Sequence, residues 1–403
     1  MSGTVIELDV IVVGGGIAGL WTLDALRAAG YRAVLLDNGA LGGTQSTASQ
    51  GMIHGGVKYA LDGKPGAATT TIAAMPAQWN ACLTGSAQPD LRAASVLSRE
   101  FLLWSTASVA ARAAALIASR ALRGHIETLP APARPAPLDD PRFGGSVYRL
   151  RDLVVDAASV AGVLAARHAA AIFGVDWQRA RFLRAPDGAV RGIAQDTLAL
   201  HAARTVLCAG AGNEALLATL AVREPAMQRR PLHQVLVKHP ALPPLFGHCL
   251  GSGTKPRLSI SSHRAGDGER VWYLGGELAE SGTALEPAQQ IRRAREELQA
   301  LFPWLALDGA AWRTLTIDRA EPRQSGWLRP DDAWAGAAQG APDVIVAWPT
   351  KLSLAPRLAT RVLELLAPVP PAARALAAGD EAAIAAVCGR PARARAPWED
   401  FDA

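Results

Sequence analysis

The sequence predicts an α/β protein built around a Rossmann-like, nucleotide-binding crossover at its amino terminus, with a second domain interleaved. Three observations carry this. An apolar strand, Val10–Val13, runs into Gly14-Gly15-Gly16-Ile17-Ala18-Gly19 and then a helical stretch; a second apolar strand, Ala33–Leu36, delivers Asp37; and a later strand, Ala203–Cys208, ends in Ala209-Gly210-Ala211-Gly212.

Each element of the crossover has its own steric or electrostatic reason. Gly14 permits the sharp turn, Gly16 lets the backbone approach a pyrophosphate, and Gly19 lets the helix pack closely on the strand. The phosphates would lie at the positive end of the helix, which Ile17 and Ala18 open. Asp37 follows about 20 residues past the turn, where a carboxylate suits both hydroxyls of an adenosine ribose and repels a 2′-phosphate. A lone glycine turn also closes ordinary βαβ units; strand, helix, second strand and acid in order distinguish this one.

At 403 residues the chain is long for a single core, so two packed domains are expected. Half its residues are hydrophobic and 19% are charged, as in ordinary globular proteins. The net charge of +5 arises from 41 basic and 36 acidic residues that are scattered, with no basic stripe of the kind a nucleic-acid partner needs. Cys82, Cys208, Cys249 and Cys388 form no C-x-x-C, which argues against a metal knuckle or a dithiol pair and for apolar filler in a reducing compartment. Glu7 and Asp9 interrupt the amino terminus before a signal-peptide core develops, and no stretch suits a bilayer span. The expectation is a cytoplasmic protein, with peripheral contact at the inner face of the membrane left open.

The next informative stretch runs from Gly42 to Tyr59. Its small and hydroxyl residues, Thr44, Gln45, Ser46 and Thr47 among them, can close over a large ligand lying along the first turn, with Gly51 and Met52 leading to His54 on the far side. A nicotinamide dehydrogenase has no need of this second loop, whereas a protein holding the longer FAD does.

The fingerprint together with S-T-A-S-Q-G-M-I-H-G-G-V-K-Y resembles the D-amino-acid-oxidase-type FAD superfamily. Within it the stretch is most similar to FAD-dependent glycerol-3-phosphate dehydrogenases, whose Ser/Thr-rich loop is followed by H-G-G-x-R-Y, and more loosely to L-2-hydroxyglutarate oxidases. Lys58 stands where those dehydrogenases carry arginine and keeps the charge. The resemblance implies FAD as cofactor and a glutathione-reductase-type FAD-binding domain, with an interleaved α+β substrate domain on a mixed or antiparallel sheet. Both domains would be discontinuous: 1–75, 145–222 and 335–370 around the cofactor, 76–144 and 223–334 around the substrate, then a tail from 371 to 403. Asn38 beside Asp37, Val175, and the turn Ala209, Gly210 and Gly212 would complete the cofactor contacts of the first half.

Residues 60–127 read as helix-rich after a linker at 63–66, with a β-like patch at Ser95–Trp104 and an Ala-rich helix from Ser108 to Leu122. Leu129–Asp140 is a proline-rich loop. Asp156 caps a helix over Ala157–Ala171, and a hairpin after Val175 turns at Pro186-Asp187-Gly188. Leu232–Val237, Val271–Gly275 and Thr314–Ile317 read as strands, and Pro287–Leu301 as an amphipathic helix. His233, His239, His248 and His263 show no metal-ligand spacing, so no metal site is expected. Arg319, Arg323 and Arg329 follow a strand; their guanidinium forks suit a carboxylate or phosphate, and equally an ordinary solvated surface.

The last informative stretch, Val344–Pro356, reads as strand, turn and helix. Its Lys351-Leu352-Ser353 is similar to the G-G-K-L-T-T-Y of glycerol-3-phosphate dehydrogenases, with Pro349 and Thr350 in place of two glycines. The resemblance implies that this turn covers the flavin's pyrimidine edge and that Lys351 lies near the substrate's anion. The Ala-, Pro- and Arg-rich tail is expected to be partly mobile.

The implied chemistry is oxidation of a CH–OH carbon of a small anionic substrate, such as glycerol 3-phosphate or a 2-hydroxy acid, with hydride passing to flavin N5. His54 is the candidate base, since imidazole ordinarily titrates near neutrality. Lys351 with Arg319 or Arg323 would hold the anionic end. A quinone, oxygen or a carrier protein could each take the electrons at the same flavin edge. An amino-acid or amine oxidase of the same fold is the enzymatic alternative, and a non-catalytic flavin-binding sensor or assembly protein the alternative of another class.

Overall fold

The computed structural model describes residues 3–55, 67–109, 126–253, 255–324, 330–366 and 376–401. Lys58, the linker at 63–66, most of the expected Ala-rich helix and Arg329 lie outside them. The described strands form two sheets of eight strands and one of three.

The first sheet is organised by β1 (Thr4–Val13), α1 (Ile17–Ala28) and β2 (Ala33–Asp37). Its parallel core runs in the order Ala341–Trp348, Leu198–Leu207, β1, β2, Ile172–Gly174. Both faces of β1 are covered, which is why it reads as an unbroken apolar run rather than an alternating one. Val10 and Val12 pack with Trp21, Leu23 and Trp79 on one side, while Ile11 and Val13 pack with Leu216, Trp348 and Ile384 on the other. Val13, Leu36 and Leu207 pair across one register, so three strands end together and open a crevice at their carboxyl edge. The expected hairpin is Ala180–Arg184 with Val190–Gln195, antiparallel, with Gly188 at φ +86° in its turn.

The second sheet runs Ala311–Pro322, Met227–Lys238, Arg270–Gly275, Pro256–Arg264, Gly247–Leu250, Phe101–Ser105, Ser146–Leu150, Ile126–Leu129. It is antiparallel except where Gly247–Leu250 meets Phe101–Ser105, and so is the mixed sheet expected. Helix Pro287–Leu301 opens with a capping box between Glu286 and Gln289 and lays Ala294, Leu298 and Leu301 against Val235, Val237 and Trp272. Strand Ser146–Leu150, from the segment expected around the cofactor, pairs in this second sheet with Phe101–Ser105.

Three expectations are corrected. The helix capped by Asp156, whose carboxylate accepts from Ser159 N–H at 3.0 Å, ends at Arg167 instead of Ala171, because His168 turns in to the buried Asp24 at 2.8 Å. The strand expected at Thr314–Ile317 extends over Ala311–Pro322, since it pairs with Met227–Lys238 along its whole length. Arg319 is therefore within a strand, not after one. The tail is anchored: Ile384 is wholly buried beneath the first sheet, and Trp398 stacks on His263 at 3.5 Å between centroids. A few large apolar side chains hold it, which its average composition conceals.

The four cysteines are free thiols; burial pushes Cys82 and Cys388 up to about 11 and Cys208 and Cys249 up to about 12, so they stay protonated filler.

Candidate active site

The glycine turn has the geometry its sequence requires. Gly14 takes φ +112°, and a Cβ there would lie 2.6 Å from the Ala209 backbone, so the turn presses directly on Ala209-Gly210-Ala211-Gly212. A Cβ on Gly19 would lie 1.8 Å from the Gly14 carbonyl oxygen, which sets how closely α1 sits on β1. Gly16 differs: the nearest atom to a Cβ there is Ser46 Oγ at 3.1 Å, with no other within 4 Å. Its open side is the path a pyrophosphate needs.

The loop after β2 closes over this turn. Ser46 Oγ accepts the Ile17 N–H at 2.9 Å, so a hydroxyl stands at the helix terminus where an anionic oxygen would accept. Asp37 accepts the Gly15 N–H through one oxygen and the Gly39 N–H, at 2.7 Å, through the other. Asn38 is exposed beside it, and Val175 N–H donates to the Asp37 carbonyl at 2.9 Å. Gly42 N–H donates to the Gly15 carbonyl, Thr47 N–H to Gly42, and Thr44 takes φ +57° to make the bend. The Ser46 hydroxyl at the helix terminus, the Asp37 carboxylate and the open side of Gly16 fit the phosphates and ribose of FAD, whose reactive ring would extend toward the second sheet.

At that far end the chain meets three other elements. Gln50 Nε2 donates to the Tyr273 carbonyl at 2.7 Å, tying the loop to the second sheet. Gly51 takes φ +72° and leads into strand Met52–Ile53, which pairs with Leu153–Val155. The turn Leu352–Leu354 packs on Met52–Ile53, and Trp79 Nε1 donates to the Ser353 carbonyl at 2.9 Å, so the stretches around 50 and 350 do meet. In that turn Thr350 takes φ +62°, the left-handed backbone that a glycine would supply without strain, and its Oγ1 donates to the Asp332 carbonyl at 3.2 Å.

His54 lies beyond Met52–Ile53, its Nδ1 3.4 Å from Asp152 Oδ2, while Asp152 Oδ1 accepts the Gly55 N–H at 3.0 Å. The ring is edge-on to Phe101, with centroids at 5.0 Å, and 5.1 Å from His248. Asp152 and His248 are neighbours of His54 that no sequence motif announced; their proximity comes from strand pairing.

The residues expected to bind the anion each have surroundings of their own. Lys351 Nζ reaches the Asp331 carbonyl at 3.4 Å. Arg319 contacts the Arg230 carbonyl at 3.2 Å and Glu280 at 3.4 Å, and Arg323 is exposed. Burial works to raise the Glu280 carboxyl, but Lys255, Arg319 and Arg230 outweigh it and hold it below its ordinary range. Among the described residues no His, Cys, Asp and Glu cluster could hold a metal ion, and no helix is long and apolar enough to cross a membrane.

A βαβ crossover with an open glycine turn, an acid at the end of its second strand, and a second, mixed sheet is the architecture of an FAD-dependent oxidoreductase. The chain belongs to the FAD dependent oxidoreductase (DAO) family, which it matches over residues 9–347, and FAD is its cofactor. It is 46% identical over 358 residues to a probable FAD-dependent oxidoreductase of Pseudomonas aeruginosa, covering 89% of this chain and 90% of that one. The crystal structure of an FAD-dependent oxidoreductase from Pseudomonas aeruginosa superposes with TM-score 0.84 at 40% identity over 99% of each chain. Glycine oxidase from Geobacillus kaustophilus (TM-score 0.64, 17% identity, 90% of this chain and 95% of that one) has the same fold. So does L-α-glycerophosphate oxidase from Mycoplasma pneumoniae (TM-score 0.60, 14% identity, 90% and 95%).

Proposed function

We propose that this FAD-dependent oxidoreductase oxidises the CH–OH carbon of a small anionic substrate, of which glycerol 3-phosphate and 2-hydroxy acids are the leading candidates. The observation that carries the reading is the His54–Asp152 pair at 3.4 Å, at the end of the loop that begins over the phosphate cradle. Oxidation of an alcohol requires a group that takes the hydroxyl proton, and oxidation of a neutral amine does not. A carboxylate at Nδ1 orients the imidazole, leaves Nε2 to accept that proton, and stabilises the cation that forms.

FAD, when bound, supplies the acceptor for the hydride. The rest falls to the chain. The glycine turn, Ser46 and Asp37 hold the dinucleotide, the turn at Lys351, Leu352 and Ser353 closes over the ring end, and Lys351 with Arg319 or Arg323 supplies positive charge toward the anionic end. A quinone, oxygen or a carrier protein then takes the electrons.

Anaerobic titration of the purified protein with glycerol 3-phosphate, 2-hydroxyglutarate and a set of amino acids, followed by flavin absorbance, tests this. Bleaching by the hydroxy compounds is expected. Bleaching by amino acids alone would replace the reading with amine oxidation, and a yellow protein bleached by nothing in the panel would favour a non-catalytic role.

A further inference from the structure

The carboxyl-terminal segment crosses the loop that closes over the glycine turn. It leaves helix Ala378–Cys388 at Gly389, which takes φ +66° and whose carbonyl accepts the Gly174 N–H at 3.0 Å. Arg390 donates to the Ala169 carbonyl and to the Ile172 carbonyl, the latter at 2.9 Å, and its guanidinium lies 4.8 Å from the centre of the Phe173 ring. This end of the segment is thus fixed to the strand beside β2, one residue short of Val175 and its bond to Asp37.

The middle of the segment pairs with the loop itself. Leu41 N–H donates to the Ala392 carbonyl at 2.8 Å, and Ala394 N–H donates to the Leu41 carbonyl at 2.9 Å, a parallel bridge between Leu41 and Arg393. Both backbone groups of Leu41 are therefore taken by the tail. Its side chain, 7% exposed, stands against Gly15, where any Cβ would collide with the leucine Cδ2. Gly42 N–H donates to the Gly15 carbonyl at 2.8 Å, and Asp37 accepts the Gly15 N–H. Gly15 is gripped by Asp37, Leu41 and Gly42, and the tail sets the position of the second of these.

The far end is tied to the second sheet. Trp398 stacks on His263, Arg313 donates to the Phe401 carbonyl at 2.9 Å, and Phe401 packs with Leu236, Val271 and Tyr273. A segment fastened at both ends gives up little further freedom when its middle grips Leu41, so the two central bonds form as intramolecular contacts.

We propose that residues 389–401 are a clasp for the cofactor: by holding Leu41 on the glycine turn they slow the release of FAD, with Leu41 and Ala394 as positioning residues. This rests on the reading that the glycine turn holds the dinucleotide, and it needs nothing from the identity of the substrate. Binding free energies are reciprocal, so a clasp that strengthens FAD binding is itself tightened by FAD to the same extent. A tail that only stabilised the fold would favour apoprotein and holoprotein equally and leave FAD release untouched.

The test follows FAD release from the holoprotein, by the rise in flavin fluorescence on dilution, in three proteins: wild type, a chain truncated after Gly389, and Ala394→Pro, which removes the N–H given to Leu41. Release should quicken about 5- to 150-fold in the truncated chain, the usual span of coupling between sites, and by less in Ala394→Pro. Ala394→Ser keeps the donor and should restore the wild-type rate. Hydrogen exchange in the peptide carrying residues 390–401 should slow when FAD is added to wild-type apoprotein. If the truncated chain is insoluble, Ala394→Pro and the exchange experiment decide the matter.

Release at the wild-type rate in the variants, or tail exchange that FAD leaves unchanged, overturns the clasp. Gly16→Val tells that failure from a misplaced cofactor. A colourless Gly16→Val protein keeps the dinucleotide on the glycine turn and condemns the clasp alone, whereas a yellow one removes the site on which the clasp acts.

Discussion

Asp152 holds His54 from the side: its Oδ2 lies 3.4 Å from the imidazole Nδ1, and its Oδ1 accepts the N–H of the next residue, Gly55, at 3.0 Å. One carboxylate thus orients both the ring and the backbone that carries it. His54→Ala should slow flavin reduction by about 10²- to 10⁴-fold with FAD still bound, the usual span for removing a general base. Asp152→Asn should slow it less. Stopped-flow reduction of each variant checks both, and an unchanged rate in His54→Ala would remove His54 from the chemistry.

Gly16 and Gly19 should fail in different ways. A side chain at Gly16 meets little protein, only Ser46 Oγ at 3.1 Å, so Gly16→Val should fold and yet emerge colourless, its isopropyl group occupying the pyrophosphate's path. Gly19→Ala would put a methyl 1.8 Å from the Gly14 carbonyl oxygen and should disrupt the crossover itself. Circular dichroism with flavin absorbance separates the two; a yellow Gly16→Val protein would contradict the cofactor's placement.

Trp398 fastens the carboxyl-terminal segment, being 2% exposed and stacked on His263 at 3.5 Å. Trp398→Ala should cost about 3–5 kcal/mol of stability, as large-to-small changes in cores do. Denaturant unfolding of the holoenzyme measures it. A change within experimental error would mean that the tail is only lightly attached.

His263 should make stability depend on pH. Burial pushes its pKa from 6.5 down to about 3, so it is neutral when folded, with Nε2 2.8 Å from Ser261 Oγ. Below the unfolded value the unfolded chain binds a proton that the folded chain refuses. The stability contributed is fully present above about pH 6.5 and is lost as pH falls toward 3. His263→Phe should lessen the loss between pH 7 and 4 by something on the order of 3 kcal/mol. Denaturation at both pH values tests this, and equal losses in wild type and variant would assign the acid sensitivity elsewhere.

Much of the cofactor half was legible in contiguous residues. The turn at Gly14–Gly19, the acid at Asp37, the cap at Asp156 and the hairpin at Gly188 each depend on backbone geometry that a few neighbouring residues decide. The partners of the arginines were less legible. Arg319 and Arg323 stand out as a basic cluster in the sequence, yet Arg319 lies within a strand against Glu280. Arg230 carries no local sign of its partner, Glu321.

The sequence by itself determined that an apolar strand must turn sharply into a helix packed close upon it, because glycine stereochemistry and hydrophobic periodicity act over adjacent residues. Only the tertiary structure decided that Asp152 would orient His54, 98 residues away, and that Glu321 would hold Arg230, 91 residues away. Pairing of charged and aromatic groups depends on strand register and on which face each residue takes, and both are set by packing between segments distant in the chain.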